Sequence, residues 1–158
     1  MRTYLYNFRW VREGILSASS RMFADEDVKW LLDEKNIKAL VCLMESPLYR
    51  EAALELGLEY KHIPIEDYEA PTNAQGDKFV EFVDYMESLG KVVDVFCDAG
   101  LGRTGCMSAI YFVGKGYSAE EAVGKVRETH PFTIDGAKQM NAIKEYENYL
   151  VGKREGKK

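Results

Sequence analysis

The chain has 158 residues, 46% of them hydrophobic and 30% charged, with a formal net charge of −5. That length suffices for one hydrophobic core and is too short for two comfortable ones. The acidic balance excludes the broad cationic face of a nucleic-acid binder, and no apolar run is long enough to span a bilayer, so no membrane partner is expected. The opening Met1-Arg2-Thr3-Tyr4 is not followed by the apolar run of a secretory signal. Three cysteines without framework spacing argue against a disulfide scaffold and for a reducing compartment, which makes a cytoplasmic location the expectation.

In chain order, 5–11 and 15–18 read as short strands around a turn at Glu13-Gly14. Residues 25–35 have helical spacing, with Val28, Leu31 and Leu32 on one side. The run 37–44 is almost continuously apolar, as in a strand covered on both faces. A short helix over 48–56, closed by Gly57, leads to a strand over 59–65 and then a polar loop over 66–73. Residues 76–89 place Phe79, Phe82, Val83 and Met86 at helical spacing. A further strand ends at Phe96, and helices are expected near 104–114, 119–129 and 135–151. Such alternation implies a single α/β domain over 1–151, with a central, mostly parallel sheet flanked by helices. Residues 152–158 are expected to form a frayed basic tail.

One segment carries chemistry: Phe96-Cys97-Asp98-Ala99-Gly100-Leu101-Gly102-Arg103-Thr104-Gly105. It joins a strand to a helix, with Cys97 and Arg103 separated by five residues, two of them Gly. A loop of this kind turns backbone N–H groups inward at a helix start and forms a nest for a tetrahedral anion such as phosphate or sulfate. The same field makes a cysteine in the loop nucleophilic. Arg103 offers a planar fork for two phosphate oxygens. A buried structural cysteine is the competing reading. It suits Cys42, inside an apolar strand, better than Cys97, where Gly100 and Gly102 mark a backbone bent for close approach.

The Cys-x5-Arg-Thr segment resembles the phosphate-binding loop of cysteine-dependent protein tyrosine phosphatases. The whole chain is similar to their small atypical dual-specificity branch, of the VHZ type, and to archaeal protein tyrosine phosphatases. The likeness runs from Asn7-Phe8-Arg9-Trp10-Val11 through His62-Ile63-Pro64-Ile65-Glu66-Asp67 to Arg127-Glu128-Thr129-His130-Pro131 and Gln139. It implies hydrolysis of phosphate monoesters on phosphotyrosine- or phosphoserine/threonine-containing proteins, with phosphotyrosine favoured and no metal or cofactor.

By this resemblance Cys97 attacks phosphorus, and the loop from Asp98 through Ala99, Gly100, Leu101 and Gly102 to Arg103 binds the phosphoryl group. Thr104 assists departure of the thiolate. Asp67, flanked by Glu66 and Glu69, is the general acid, since a leaving oxygen needs a proton. Gln139 and Asp135, one helical turn apart, stand where relatives orient the attacking water, although a plain surface helix residue is an equal reading of Gln139. Arg127, His130 and Pro131 shape the turn before the last helix. Cys106 reads as a packing residue or, less readily, as a redox partner of Cys97.

One position departs from the pattern. The residue before the nucleophile, usually His, is Phe96, which cannot donate a hydrogen bond, and Asp98 adds a negative charge beside the sulfur. Both disfavour a thiolate, so activity is expected to be retained but reduced or shifted upward in pH. They also keep open a phosphate-binding pseudophosphatase that recognises phosphotyrosine without turnover. A rhodanese-like sulfur-transfer enzyme is a further alternative, disfavoured by Asp67 and the Gly-Arg-Thr-Gly helix start.

Overall fold

The computed structural model describes residues 5–156. Strands β1 (Arg9–Arg12) and β2 (Leu16–Ser20) form an antiparallel hairpin. Next come α1 (Asp25–Lys35), β3 (Ile37–Cys42), α2 (Arg50–Glu55) and β4 (Glu59–His62). Then follow α3 (Asn73–Ser88), β5 (Val92–Cys97), α4 (Gly102–Gly114), α5 (Ala119–Thr129) and α6 (Gly136–Gly156). The sheet order is β1-β2-β5-β3-β4, and β2, β5, β3 and β4 run parallel.

The expected α/β architecture is therefore present, with β5 at the centre. Its residues alternate between two cores, as the period of a strand dictates. Val93, Val95 and Cys97 join the core under α3, α4, α5 and α6, while Val92 and Phe96 join the core under α1 and α2. Full burial of a side chain such as Phe96 contributes on the order of 2 kcal/mol. Helix α4 is buried along 103–113 and is enclosed by its three neighbours on the same layer, which explains its nearly continuous apolar sequence.

Several boundaries differ from expectation: β3 ends at Cys42 and β4 at His62, short of 44 and 65, and α3 starts at Asn73, where Thr72 and Gln75 cap it, rather than at 76. The first strand begins at Arg9 rather than residue 5, because Asn7 takes a left-handed conformation (φ 56°) and turns the segment before it. The last helix does not end at Val151 but continues to Gly156. Lys153 lies over the Tyr149 ring at 5.0 Å and pairs with Asp77 at 3.5 Å, and cations in a last turn suit the helix dipole. The final residues of the basic tail, 157–158, lie outside the described residues.

Candidate active site

The segment after β5 is a loop whose outer surface is fully engaged. The Asp98 carbonyl accepts from the Arg21 N–H at 3.0 Å, and that of Ala99 from Asn7 Nδ2 at 2.8 Å. The Gly100 carbonyl accepts from Arg9 Nη1 at 2.6 Å, and that of Leu101 from the N–H groups of Gly105 at 3.0 Å and Ile134 at 3.2 Å. In a trans peptide the C=O and the following N–H point in opposite directions. Four carbonyls pinned outward therefore turn the amides of Ala99, Gly100, Leu101 and Gly102 inward. Gly100 has a φ of +78°, and a Cβ there would lie 2.3 Å from the Ser19 carbonyl oxygen, so only glycine fits. Gly105 is equally constrained by packing: a Cβ would meet Thr133 Cβ at 2.8 Å.

Arg103 lies in the first turn of α4 and is only 3% exposed. Its Nη1 donates to Glu45 Oε1 and to the Ile65 carbonyl, both at 2.8 Å. Its Nη2 stands 3.6 Å from Asp67 Oδ1. The hydrogen bond from Arg103 holds the Glu45 carboxyl below its usual range. Glu45 in turn reaches the Asp67 N–H at 3.4 Å through Oε2. One carboxylate thus fixes the guanidinium plane and the start of the loop that carries Asp67.

That loop is also tied to α6. Lys138 Nζ reaches Glu69 Oε1 at 2.6 Å, and Gln139 Nε2 donates to the Glu69 carbonyl at 3.3 Å. Gln139 is 1% exposed, and its Oε1 accepts from the Asp135 N–H at 2.6 Å. The reading of Gln139 as a surface residue is therefore corrected: the inward turn of α6 against the loop carbonyls buries it. Thr104 is fully buried, and its hydroxyl has no hydrogen-bond partner among the described residues. Cys106 donates to the Gln139 carbonyl at 3.4 Å, and burial pushes its thiol up to about 12. Cys42 belongs to the core under α1 and α2, where burial also raises its thiol.

A cavity of about 550 Å³ opens over the loop. Cys97, Asp98, Ala99, Leu101, Gly102 and Arg103 line it together with Asp67, Asp135 and Gln139. Of the residues singled out from sequence, Gly100 and Thr104 do not line it: the first backs onto Ser19 and the second is covered. Tyr68 and Phe132 stand at the cavity's edge and Arg127 in its wall. Arg127 donates to the carbonyls of Thr133 and Ile134, both at 3.4 Å, and so shapes the turn before α6 as expected. Sequence reasoning missed Glu45 and the outer clamp of Asn7 and Arg9. It also missed Asp94, whose buried carboxyl accepts from Ser17 Oγ and Ser19 Oγ, each at 2.7 Å. An acid inside an otherwise apolar strand, facing two serines at alternate positions, was the available signal.

A family model described as "Tc-R-P: Polymorphic toxin system, DSP-PTPase phosphatase" matches residues 16–117, a span that includes Asp67, Cys97 and Arg103. The chain belongs to the DSP-PTPase phosphatase family. Among curated proteins, this DSP-PTPase is 31% identical over 102 residues to the tyrosine-protein phosphatase CDC14 homolog of Schizosaccharomyces pombe, covering 63% of this chain and 19% of that one. It is 36% identical over 86 residues to an uncharacterized protein of Methanocaldococcus jannaschii, covering 54% and 57%. The chain thus spans only about a fifth of the CDC14 relatives it matches. Among solved structures, Tk-PTP in the active form superposes with a TM-score of 0.81 at 27% identity, covering 90% of this chain and 97% of that one. PTPMT1 in complex with PI(5)P superposes with a TM-score of 0.83 at 19% identity, covering 93% and 98%, a likeness of fold alone.

Proposed function

We propose that the chain hydrolyses phosphate monoesters on phosphoproteins, phosphotyrosine foremost, through a cysteinyl-phosphate intermediate. The observation that carries this reading is the loop itself. Its amides turn inward over Cys97, an uncapped helix start follows, and Arg103 is held flat at its side by Glu45. Such preorganised donors stabilise the equatorial oxygens of a transferring phosphoryl group.

In the first step the Cys97 thiolate attacks phosphorus, the P–S bond forms and the P–O bond to the leaving group breaks. Asp67, which lines the same cavity, gives its proton to the departing oxygen. In the second step water attacks phosphorus, Asp67 takes a proton from it, and the P–S bond breaks to return the thiolate and free phosphate. The unpartnered Thr104 hydroxyl is available to the returning thiolate, and Gln139 to the water. Tyr68 and Phe132, 72% and 77% exposed, flank the cavity and offer aromatic walls to a phosphotyrosine ring. Asp98 and Asp135 at the same edge oppose a polyanionic substrate. Three free, buried cysteines accord with a reducing, cytoplasmic setting.

The test is hydrolysis of para-nitrophenyl phosphate across pH with EDTA present, for the chain and for Cys97→Ser. Metal-independent turnover that disappears in Cys97→Ser is the expected result. A faster rate on phosphotyrosine than on phosphoserine peptides would fix the substrate class. Binding of a phosphotyrosine peptide with no turnover at any pH would overturn the enzyme in favour of a recognition module, the outcome that Phe96 invites.

A further inference from the structure

Arg9 has no part in the mechanism above, yet it is the best-placed cation behind the loop. It opens β1 opposite Ala18, on the face of the sheet that also carries Cys97. Its Nη1 serves two carbonyls, those of Gly100 at 2.6 Å and Asn7 at 3.0 Å. Its Nε and Nη2 are buried and make no hydrogen bond among the described residues. Burying donors of a cation without acceptors is costly. A surface arginine would turn these nitrogens to water.

The titratable groups that face Arg9 come from β5 and from the turn after α5. Burial lowers the Arg9 guanidinium from its usual range, and Asp94 and then Cys97, both of β5, favour its charged form. His130, from the turn after α5, is pushed down by its own burial and by Arg9. Asp94 points to the other face of the sheet, where Ser17 and Ser19 hold it. On its own face, the group whose charge Arg9 complements is the sulfur of Cys97.

We infer that Arg9 is a positioning residue of the phosphate-binding loop, fixing the Gly100 carbonyl outward and holding a permanent charge behind Cys97 that supports its thiolate. It thereby supplies part of what Phe96, lacking a donor, cannot. A charge behind the loop acts through low-dielectric protein rather than through screening solvent, so its effect on the sulfur is large for its distance. The inference rests on Cys97 being the nucleophile proposed above.

Two full-length variants test it: Arg9→Gln and Arg9→Lys. Two pH profiles are read for each, kcat/KM on para-nitrophenyl phosphate and the rate of iodoacetamide alkylation at Cys97, followed by mass spectrometry of its peptide. Arg9→Gln keeps a donor for Gly100 but loses the charge. It is expected to move the acidic limb of both profiles upward by about half a pH unit or more, slowing alkylation at mildly acidic pH by roughly threefold or more. Arg9→Lys keeps the charge and is expected to leave both limbs in place with a lower kcat, since an ammonium does not reproduce the fork.

Equal losses of rate in Arg9→Gln and Arg9→Lys, with neither limb moved, would reduce Arg9 to a packing role and overturn the inference. Should Arg9→Gln not fold, an upward shift of either limb in Arg9→Lys, which keeps the charge, overturns it instead. Alkylation needs no turnover. Shifted alkylation in a chain that never hydrolyses substrate would sink the enzyme reading and leave Arg9 in its role, whereas hydrolysis with unshifted alkylation would sink this inference alone.

Discussion

Helices α4 and α5 begin in opposite ways. At α5 the start is closed: Ser118 Oγ accepts from the Glu121 N–H at 3.1 Å, and Glu121 Oε1 accepts from the Ser118 N–H at 2.9 Å. Helix α3 closes itself in the same manner with Thr72 and Gln75. At α4 no side chain caps the first turn: the cap position is Leu101, and a cation, Arg103, stands two residues after it. The first amides of any helix need acceptors from outside the helix. A start that finds them in its own sequence is finished; a start that does not is left for an anion. The pinned carbonyls from Asp98 to Leu101 extend that open start backward into the loop. Binding capacity here comes from withholding a cap as much as from supplying an arginine.

The open helix start is most vulnerable at Gly100. Gly100→Ala puts a Cβ against the Ser19 carbonyl and collapses the inward turn. A loss of at least about a hundredfold in kcat/KM is expected, with destabilisation of about 2 kcal/mol or more on denaturant titration. Arg103→Lys keeps the charge but not the fork that Glu45 orients, and steady-state assay should show a loss of about a hundredfold, mostly in kcat. Asp67→Asn leaves the anion site intact and removes the proton donor. It should lower kcat by about a hundredfold on phosphotyrosine while sparing affinity for inorganic phosphate measured as a competitive inhibitor; weakened phosphate binding would show that Asp67 shapes the loop instead.

Two smaller effects sharpen the contrast from the fold's side. Burial raises the Asp94 carboxyl from 3.8 to about 6, against the bonds from Ser19 and Ser17 that lower it. Between those values the folded chain keeps a proton that the unfolded chain has released. Stability is therefore highest below the lower value and falls as pH rises through the window, by on the order of 2–3 kcal/mol. Asp94→Asn should flatten that fall in urea titrations at different pH; an unchanged slope would assign it to other groups. At the closed start, Ser118→Ala should cost about 1 kcal/mol of stability and leave kcat/KM unchanged. A changed kcat/KM there would contradict the separation of the two kinds of helix start.

Much of this was legible before the fold. Helix α1 and helix α5 span the residues expected of them, 25–35 and 119–129, because both are amphipathic elements. Cys97, Asp98 and Arg103 announce themselves because the loop that holds them is continuous in sequence. Glu45 does not, since it meets Arg103 across a separation of 58 residues. The register of β3 against β5, with Cys42 beside Phe96, is what brings the residues just beyond both strand ends together. The clamp of Asn7 and Arg9 was hidden for the same reason: it depends on β2 lying between β1 and β5, an order that periodicity does not encode. Gln139 was ambiguous because a helix residue next to a functional loop can face either way until its neighbours are known.

Helix α4 serves as the axle of its layer as well as the mount for Arg103 and Thr104. It packs against α3, α5 and α6 at once, and Gly105 lets the turn before α6 sit directly on its backbone. Regions that melt early in a protein are those with few buried contacts, and this helix is their opposite. Inactivation on heating should therefore track loss of the whole structure, with no dead but folded species in between, which makes turnover a thermometer for the integrity of the chain.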